Sequence, residues 1–239
     1  MKTAESTCSR DRLPPVGARP VVVLLGGPGS GKGTHGRTLA RSLDFTHLSS
    51  GEHFRDHIRR ATPFGLRVRD TIEAGRLVPD EMAAGLVREM VGSSPEAEGF
   101  VLDGYPRSLA QAEALHLMAP KFGIFIAKTI FLQIPDDEIM RRLSGRLTCR
   151  SCGDTCHEIL KPPANPGICD TCGGALYRRA DDEPATIRSR ITLFHEMTGP
   201  VVDFYHTKGI LTKVAADGPA NEVGARVVAT IRGLAGLKR

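Results

Sequence analysis

The sequence predicts an α/β fold: a five-stranded parallel sheet flanked by helices, with one small helical insert and one cysteine-bearing insert. Two patterns and one motif predict it. Short apolar, β-branched runs alternate with stretches of helical character, as in a parallel sheet buried between helix layers. Two C-x-x-C pairs sit in a stretch without helical period, which reads as an inserted module. The first apolar run, Val21-Val22-Val23-Leu24-Leu25, feeds Gly26-Gly27-Pro28-Gly29-Ser30-Gly31-Lys32-Gly33-Thr34, which fits G-x-x-x-x-G-K. Glycines there let backbone N–H groups turn inward on a phosphate, and the following helix adds the positive end of its dipole. The hydroxyl falls one residue later than the general pattern, at Thr34.

Taken in order, Thr34 to Ser42 reads as a helix and Phe45-Thr46-His47-Leu48 as the second strand. Ser49-Ser50-Gly51-Glu52 starts a helix with hydroxyls for its N-cap. Residues 52–60 and 64–74 form two small, partly exposed helices, the second closed by Gly75. Pro79-Asp80-Glu81 opens a helix to about Met90, with proline and acids in its first turn. Gly99 to Asp103 is an apolar strand ending in a carboxylate, and Gly104-Tyr105-Pro106-Arg107 turns into a helix from Ser108 to about Met118. Lys128 to Ile134 is the fourth strand, and Pro135 opens a helix to Leu143. A long helix is expected from Pro184 to about Tyr205, kinked or broken at Gly199-Pro200. Ile210 to Val214 is the fifth strand and Asn221 to Leu234 the last helix.

The 239 residues are 41% apolar and 25% charged, and no apolar stretch approaches the ~20 residues needed to span a bilayer. A net charge of +5 suits a polyanionic ligand without saying which. Residues 1–19 lack the apolar centre of a secretory signal and read as a disordered tail. Cys149-x-x-Cys152 and Cys169-x-x-Cys172, each followed by glycine, have four-thiolate zinc spacing; a redox disulfide is the alternative. Four protein thiolates close the shell, so such a zinc holds structure. Cys156 and His157 read as neighbours of that site.

Ligands in parallel α/β sheets bind at the carboxyl ends of the strands, which places Gly31, Ser50, Asp103 and Arg107 on one rim. Asp103 ends its strand as a carboxylate for Mg²⁺ or its waters; a helix-capping role is the alternative. Arg55, Arg107, Arg142, Arg146, Arg179 and Arg190 lie in separate segments beside that rim. Planar, permanently charged donors in that number suit a phosphoryl group passing between two phosphorylated partners.

Those motifs, together with Ser49-Ser50-Gly51, Asp103-Gly104-Tyr105-Pro106-Arg107 and Arg179-Ala180-Asp181-Asp182, resemble adenylate kinases of the long-lid, zinc-bearing bacterial type. The resemblance runs from about Pro20 onward, and G-K-G-T is that family's own spelling at Gly33. It implies ATP + AMP ⇌ 2 ADP with Mg²⁺ carried by the phosphates, and one structural Zn²⁺. It further implies a core (20–48, 79–144, 183–239), a monophosphate-binding domain (49–78) and a lid (145–182).

By position it implies ATP at Gly27 through Thr34, at Arg142, Arg146 and His157, and at Gly218 and Pro219. AMP falls to Ser50, Gly51, Arg55, Arg76, Leu77, Val78, Gly104, Arg107 and Gln111, the last facing the adenine edge. Arg179 and Arg190 bridge the transferring group, and Lys32, Arg107, Arg146 and Asp103 join them as catalytic residues. A monomeric, cytoplasmic chain is expected, without nucleic-acid or membrane partners. Two rivals are a kinase for another nucleoside monophosphate and a nucleic-acid-binding switch protein. Ser50 and Cys156 depart from the family's usual threonine and aromatic residue.

Overall fold

A computed structural model describes residues 17–232. The chain begins with β1 (Arg19–Gly26), α1 (Lys32–Leu43), β2 (Thr46–Ser49), α2 (Ser50–Arg59), α3 (Pro63–Glu73) and α4 (Asp80–Gly92). It continues through β3 (Phe100–Asp103), α5 (Leu109–Met118), β4 (Ile124–Gln133) and α6 (Asp136–Ser144). Three short strands follow: β5 (Arg146–Cys149), β6 (Thr155–His157) and β7 (Leu176–Tyr177). α7 (Pro184–Thr207), β8 (Leu211–Ala215) and α8 (Ala220–Ala229) complete it.

Five strands form a parallel sheet in the order β2-β3-β1-β4-β8, as the alternating pattern requires. β1 is central because both of its faces are apolar. Val21, Val23 and Leu25 pack with Val87 of α4, Leu115 of α5 and Val201 of α7. Val22 and Leu24 point the other way, onto Leu39 of α1 and Val227 of α8. Val21 through Leu25 are at most 2% exposed, and full burial of each such side chain stabilises by about 2 kcal/mol. The register sets Leu24, Asp103 and Ser49 side by side, so the three strands end on one rim.

Two excursions leave this core. α2 and α3 pack on each other, capped by the Ser49 and Thr62 side chains, which accept from the N–H groups of Glu52 and Gly65. A Cβ at Gly65 would lie 2.2 Å from the His57 carbonyl oxygen, so only glycine permits that approach. The second excursion is an antiparallel sheet, β6-β5-β7, holding the cysteines.

Several boundaries differ from the sequence reading. The expected tail lies outside the described residues through residue 16, but Arg19 already belongs to β1, paired with Ile124. β4 starts at Ile124 instead of Lys128, because a register shift between Val21 and Val22 lets the pair extend backward. α7 is not broken: Pro200 sits inside one 24-residue helix. Proline removes one helical hydrogen bond, at a cost of ~3 kcal/mol. Buried Ile187 and Ile191 before it and Val201, Val202 and Tyr205 after it hold both halves against the body. α8 ends at Ala229, and Leu234 lies outside the described residues.

Candidate functional site

The loop after β1 turns through Gly29 and Gly31, whose φ angles of 74° and 87° suit glycine alone, and Gly31 caps α1. Inside it the Lys32 ammonium donates to the carbonyl oxygens of Gly26 and Gly27, both at 2.7 Å. Burial pushes the Lys32 pKa down to about 8; Arg107, Arg190 and Arg146 push the same way, and Asp103 opposes them. Asp103 offsets that burial cost only in part, and a phosphate supplies the further negative charge.

Asp103, at the carboxyl end of β3, is 6% exposed. Its Oδ2 accepts from the Ser49 hydroxyl at 3.3 Å, and its carbonyl oxygen accepts from the Ser50 hydroxyl at 3.3 Å. Arginines ring this rim. Arg146 forms a two-pronged pair with Asp182 at 2.8 and 2.5 Å, and Asp182 is fully buried. Arg190 meets the carboxylates of Asp181 at 2.9 Å and Asp182 at 3.2 Å. Arg179 donates to the Thr148 hydroxyl, and Arg107 to the Gly104 carbonyl, both at 2.8 Å. Burial, with Arg55 and Arg146 nearby, drives Arg179 down to about 9, and burial also lowers Arg55 and Arg107. These guanidiniums are crowded together against their mutual repulsion.

Lys32, Asp103, Arg55, Arg107, Arg146, Arg179 and Arg190 line one cavity of about 690 Å³ that runs from Gly218 and Pro219 past Lys32 and Asp103 to Arg107. Arg142, held by Glu138 at 2.6 Å, reaches the Gly218 carbonyl at 3.4 Å at one end. A smaller chamber of about 70 Å³ opens beside it, lined by Ser50, Arg55, Arg76, Leu77, Val78 and Gln111 among others. Gly51, Arg55, Gly75, Leu77, Gly104, Arg107 and Arg190 belong to both.

In the small antiparallel sheet, the Cys149, Cys152, Cys169 and Cys172 sulfurs lie within 4.8 Å of one another. Cys149 and Cys172 are 3.5 Å apart, and Cys152 and Cys169 3.7 Å. A tetrahedral Zn²⁺ with Zn–S near 2.3 Å has an edge of about 3.8 Å, so the donors fit that ion. Gly153 and Gly173 close each knuckle with N–H bonds to the Cys149 and Cys169 carbonyls. The four thiolates are a structural zinc site, and Cys156 and His157 stand outside it.

A family model described as adenylate kinase matches residues 24–210. The chain belongs to the adenylate kinase family. Curated adenylate kinases similar to it include that of Streptomyces griseus, 38% identical over 88% of this chain and 97% of its relative. That of Bacillus subtilis is 41% identical over 89% and 98%, and that of Moorella thermoacetica 44% over 81% and 89%.

Set against the residues expected from the adenylate kinase resemblance, the arrangement gathers most but not all. Pro28, Gly29, Gly31, Lys32, Gly33, Thr34, Arg142, Arg146, His157, Gly218 and Pro219 line the large cavity. Gly27 and Ser30 do not. Ser30 is fully buried behind the loop, and a Cβ on Gly27 would meet Ile139. His157 has little hydrogen-bonding capacity left. Its Nδ1 accepts from the Ile159 and Leu160 N–H groups at 3.0 Å, and its Nε2 donates to the Arg141 carbonyl at 3.1 Å. It acts as a strut between α6 and β6.

Sequence reasoning missed three supporting groups. Glu138, four residues before Arg142, carried an i,i+4 signal that could have exposed it. The Asp181-Asp182 pair, which holds Arg190, carries no local sign of that role. Arg37 is the third: from α1 it reaches Glu52 of α2 at 2.7 Å and Asp154 of the zinc module at 3.8 Å. No local pattern links those three positions.

Proposed function

We propose that this chain transfers the terminal phosphoryl group of ATP to AMP, reversibly, giving two ADP. The observation that carries this reading is one cavity where Lys32 meets Arg55, Arg107, Arg146, Arg179 and Arg190, with a second chamber opening beside it. Clustered, desolvated cations of this kind suit two phosphate chains placed end to end. Phosphoryl transfer needs no covalent nucleophile; positioning and charge stabilisation suffice.

In this reading the loop N–H groups and Lys32 hold the β- and γ-phosphates, and Arg142 with Gly218 and Pro219 borders the ATP base. Arg55 and Arg107 hold the AMP phosphate, with Ser50, Gly51, Arg76, Leu77, Val78, Gly104 and Gln111 around its nucleoside. Arg146, Arg179 and Arg190 stabilise the equatorial charge that develops in transit. Asp181 and Asp182 fix two of those guanidiniums, so little reorganisation accompanies the reaction. Bound Mg²⁺ neutralises triphosphate charge. Asp103 and Thr34 line the cavity and carry hard oxygen donors suited to the ion or its water shell.

Water must be kept from the γ-phosphoryl group, or ATP would be hydrolysed. Residues 145–182 are the lid that does this, residues 49–78 the monophosphate-binding domain, and the remaining sheet and helices the core. A lid this small has little apolar core of its own, so the zinc staples it. The chain works as a cytoplasmic monomer without nucleic-acid or membrane partners; among the described residues no helix is long and apolar enough to cross a membrane.

A coupled assay of ADP formation from ATP with AMP, CMP, UMP or GMP tests the proposal. AMP should give the highest kcat/KM by a wide margin. Preference for another monophosphate, or none for any, refutes the assignment.

A further inference from the structure

Gln111 is 2% exposed, on the first turn of α5, and lines the smaller chamber. A primary amide has two N–H donors and two oxygen lone pairs, and it can be turned over by half a rotation. Here two fixed partners choose the rotation. The Arg107 backbone N–H, which can only donate, points at Oε1 from 2.7 Å. The Asp80 carboxylate, which when ionised can only accept, takes a hydrogen bond from Nε2 at 2.7 Å. Turning the amide over would set N–H against N–H and oxygen against carboxylate, losing both bonds and adding two repulsions.

Asp80 is itself placed. The Ser108 hydroxyl, which donates once, stands 3.1 and 3.2 Å from its two oxygens, and the same Ser108 oxygen accepts from the Gln111 backbone N–H at 3.1 Å. Asp80 begins α4 and Ser108 caps α5, so two helix starts hold the amide between them.

We propose that Asp80 is a specificity-determining, positioning residue that fixes the Gln111 amide so that it selects a 6-amino over a 6-oxo purine monophosphate. With one lone pair and one N–H used, Gln111 keeps one acceptor on Oε1 and one donor on Nε2. The adenine edge offers the complement, a donor at the 6-amino group and an acceptor at N1. A 6-oxopurine offers the reverse, an acceptor at O6 and a donor at N1. A free amide would rotate and accommodate either edge; a locked one leaves two buried groups unpaired against the wrong base. The inference rests on the proposed reading that the chamber holds the base of the acceptor.

The test is the ratio of kcat/KM for AMP to that for IMP, whose base carries the 6-oxo edge, in the full-length enzyme. Asp80→Ala should lower that ratio about tenfold or more, chiefly through the KM of the monophosphate, with KM for ATP unchanged. Asp80→Asn keeps a carbonyl acceptor and should recover most of the ratio. Glu81→Ala removes an acid from the same helical turn without touching the amide, and should leave the ratio as it is. If Asp80→Ala does not fold, Asp80→Ser, too short to reach Nε2 and tolerated at a helix start, decides in its place.

Gln111→Ala separates the two layers of the reading. If it collapses the ratio while the Asp80 variants do not, the role of Asp80 is overturned and the base-reading role of Gln111 stands. If it leaves the ratio intact, the chamber does not read this edge and the inference falls with that reading.

Discussion

Replacing Lys32 with alanine should separate stability from activity. In the folded protein its pKa is pushed from 10.5 to about 8, chiefly by burial. A depressed lysine means that the unfolded chain binds the proton more tightly. The penalty is therefore full below pH 8 and is relieved as pH rises toward 10.5. At pH 7 a shift of that size amounts to a cost of the order of 3 kcal/mol. The variant forgoes that cost, and it also loses two hydrogen bonds to Gly26 and Gly27, each worth about 1 kcal/mol.

The net expectation for Lys32→Ala is a gain of about 1 kcal/mol, or roughly 2–4 °C in melting temperature for a chain of this size. Turnover should nevertheless fall at least ~10²–10³-fold, the usual effect of removing a donor aimed at developing charge. Ligand-free thermal melts at pH 7 and coupled ADP assays on the same preparation measure both. Near-normal turnover in a folded variant would refute the phosphate-holding role. A melting temperature lowered by several degrees would refute the account of a strained, desolvated cation.

Three further expectations rest on other parts of the molecule. Cys152→Ser should reduce bound zinc from about one ion per chain to a small fraction by native mass spectrometry and lower the melting temperature of the small sheet, since four thiolates close the shell; unchanged metal content refutes the ligand set. Asp182→Asn strips the charge paired with Arg146 and Arg190 and should destabilise by about 3 kcal/mol, roughly 6–12 °C, read by calorimetry. His116, packed against Phe204 and Tyr205, is pushed down to about 4 by burial and then by Lys208. Its unfolded form takes up a proton first, so stability should fall as pH drops from about 6.5 toward 4, and His116→Phe should flatten that slope in pH-dependent melts.

Some of this molecule was determined by short stretches of sequence. The strand–loop–helix from Val21 to Thr34 carries its own instructions: β-branched residues for a buried strand, glycines at positive φ, and a lysine poised to fold back. The zinc knuckles are equally local, because four residues and a following glycine suffice to build each half. The ends of β1, β2 and β3 could be placed on one rim because parallel strands must share a direction.

Tertiary structure decided the rest, where the deciding partner is distant in the chain. Gly199-Pro200 reads locally as a kink or a break, yet α7 continues through it because burial on both sides outweighs one lost hydrogen bond. Gly27 and Ser30 share a motif with Lys32, but the turn of the loop sends them behind the cavity. The Gln111 amide, a side chain free to rotate in isolation, gains an orientation only when Asp80, 31 residues away, is brought beside it. Local pattern chose the groups that carry charge and hydrogen bonds. Packing chose which way each of them faces, because orientation depends on contacts that no neighbouring residue supplies.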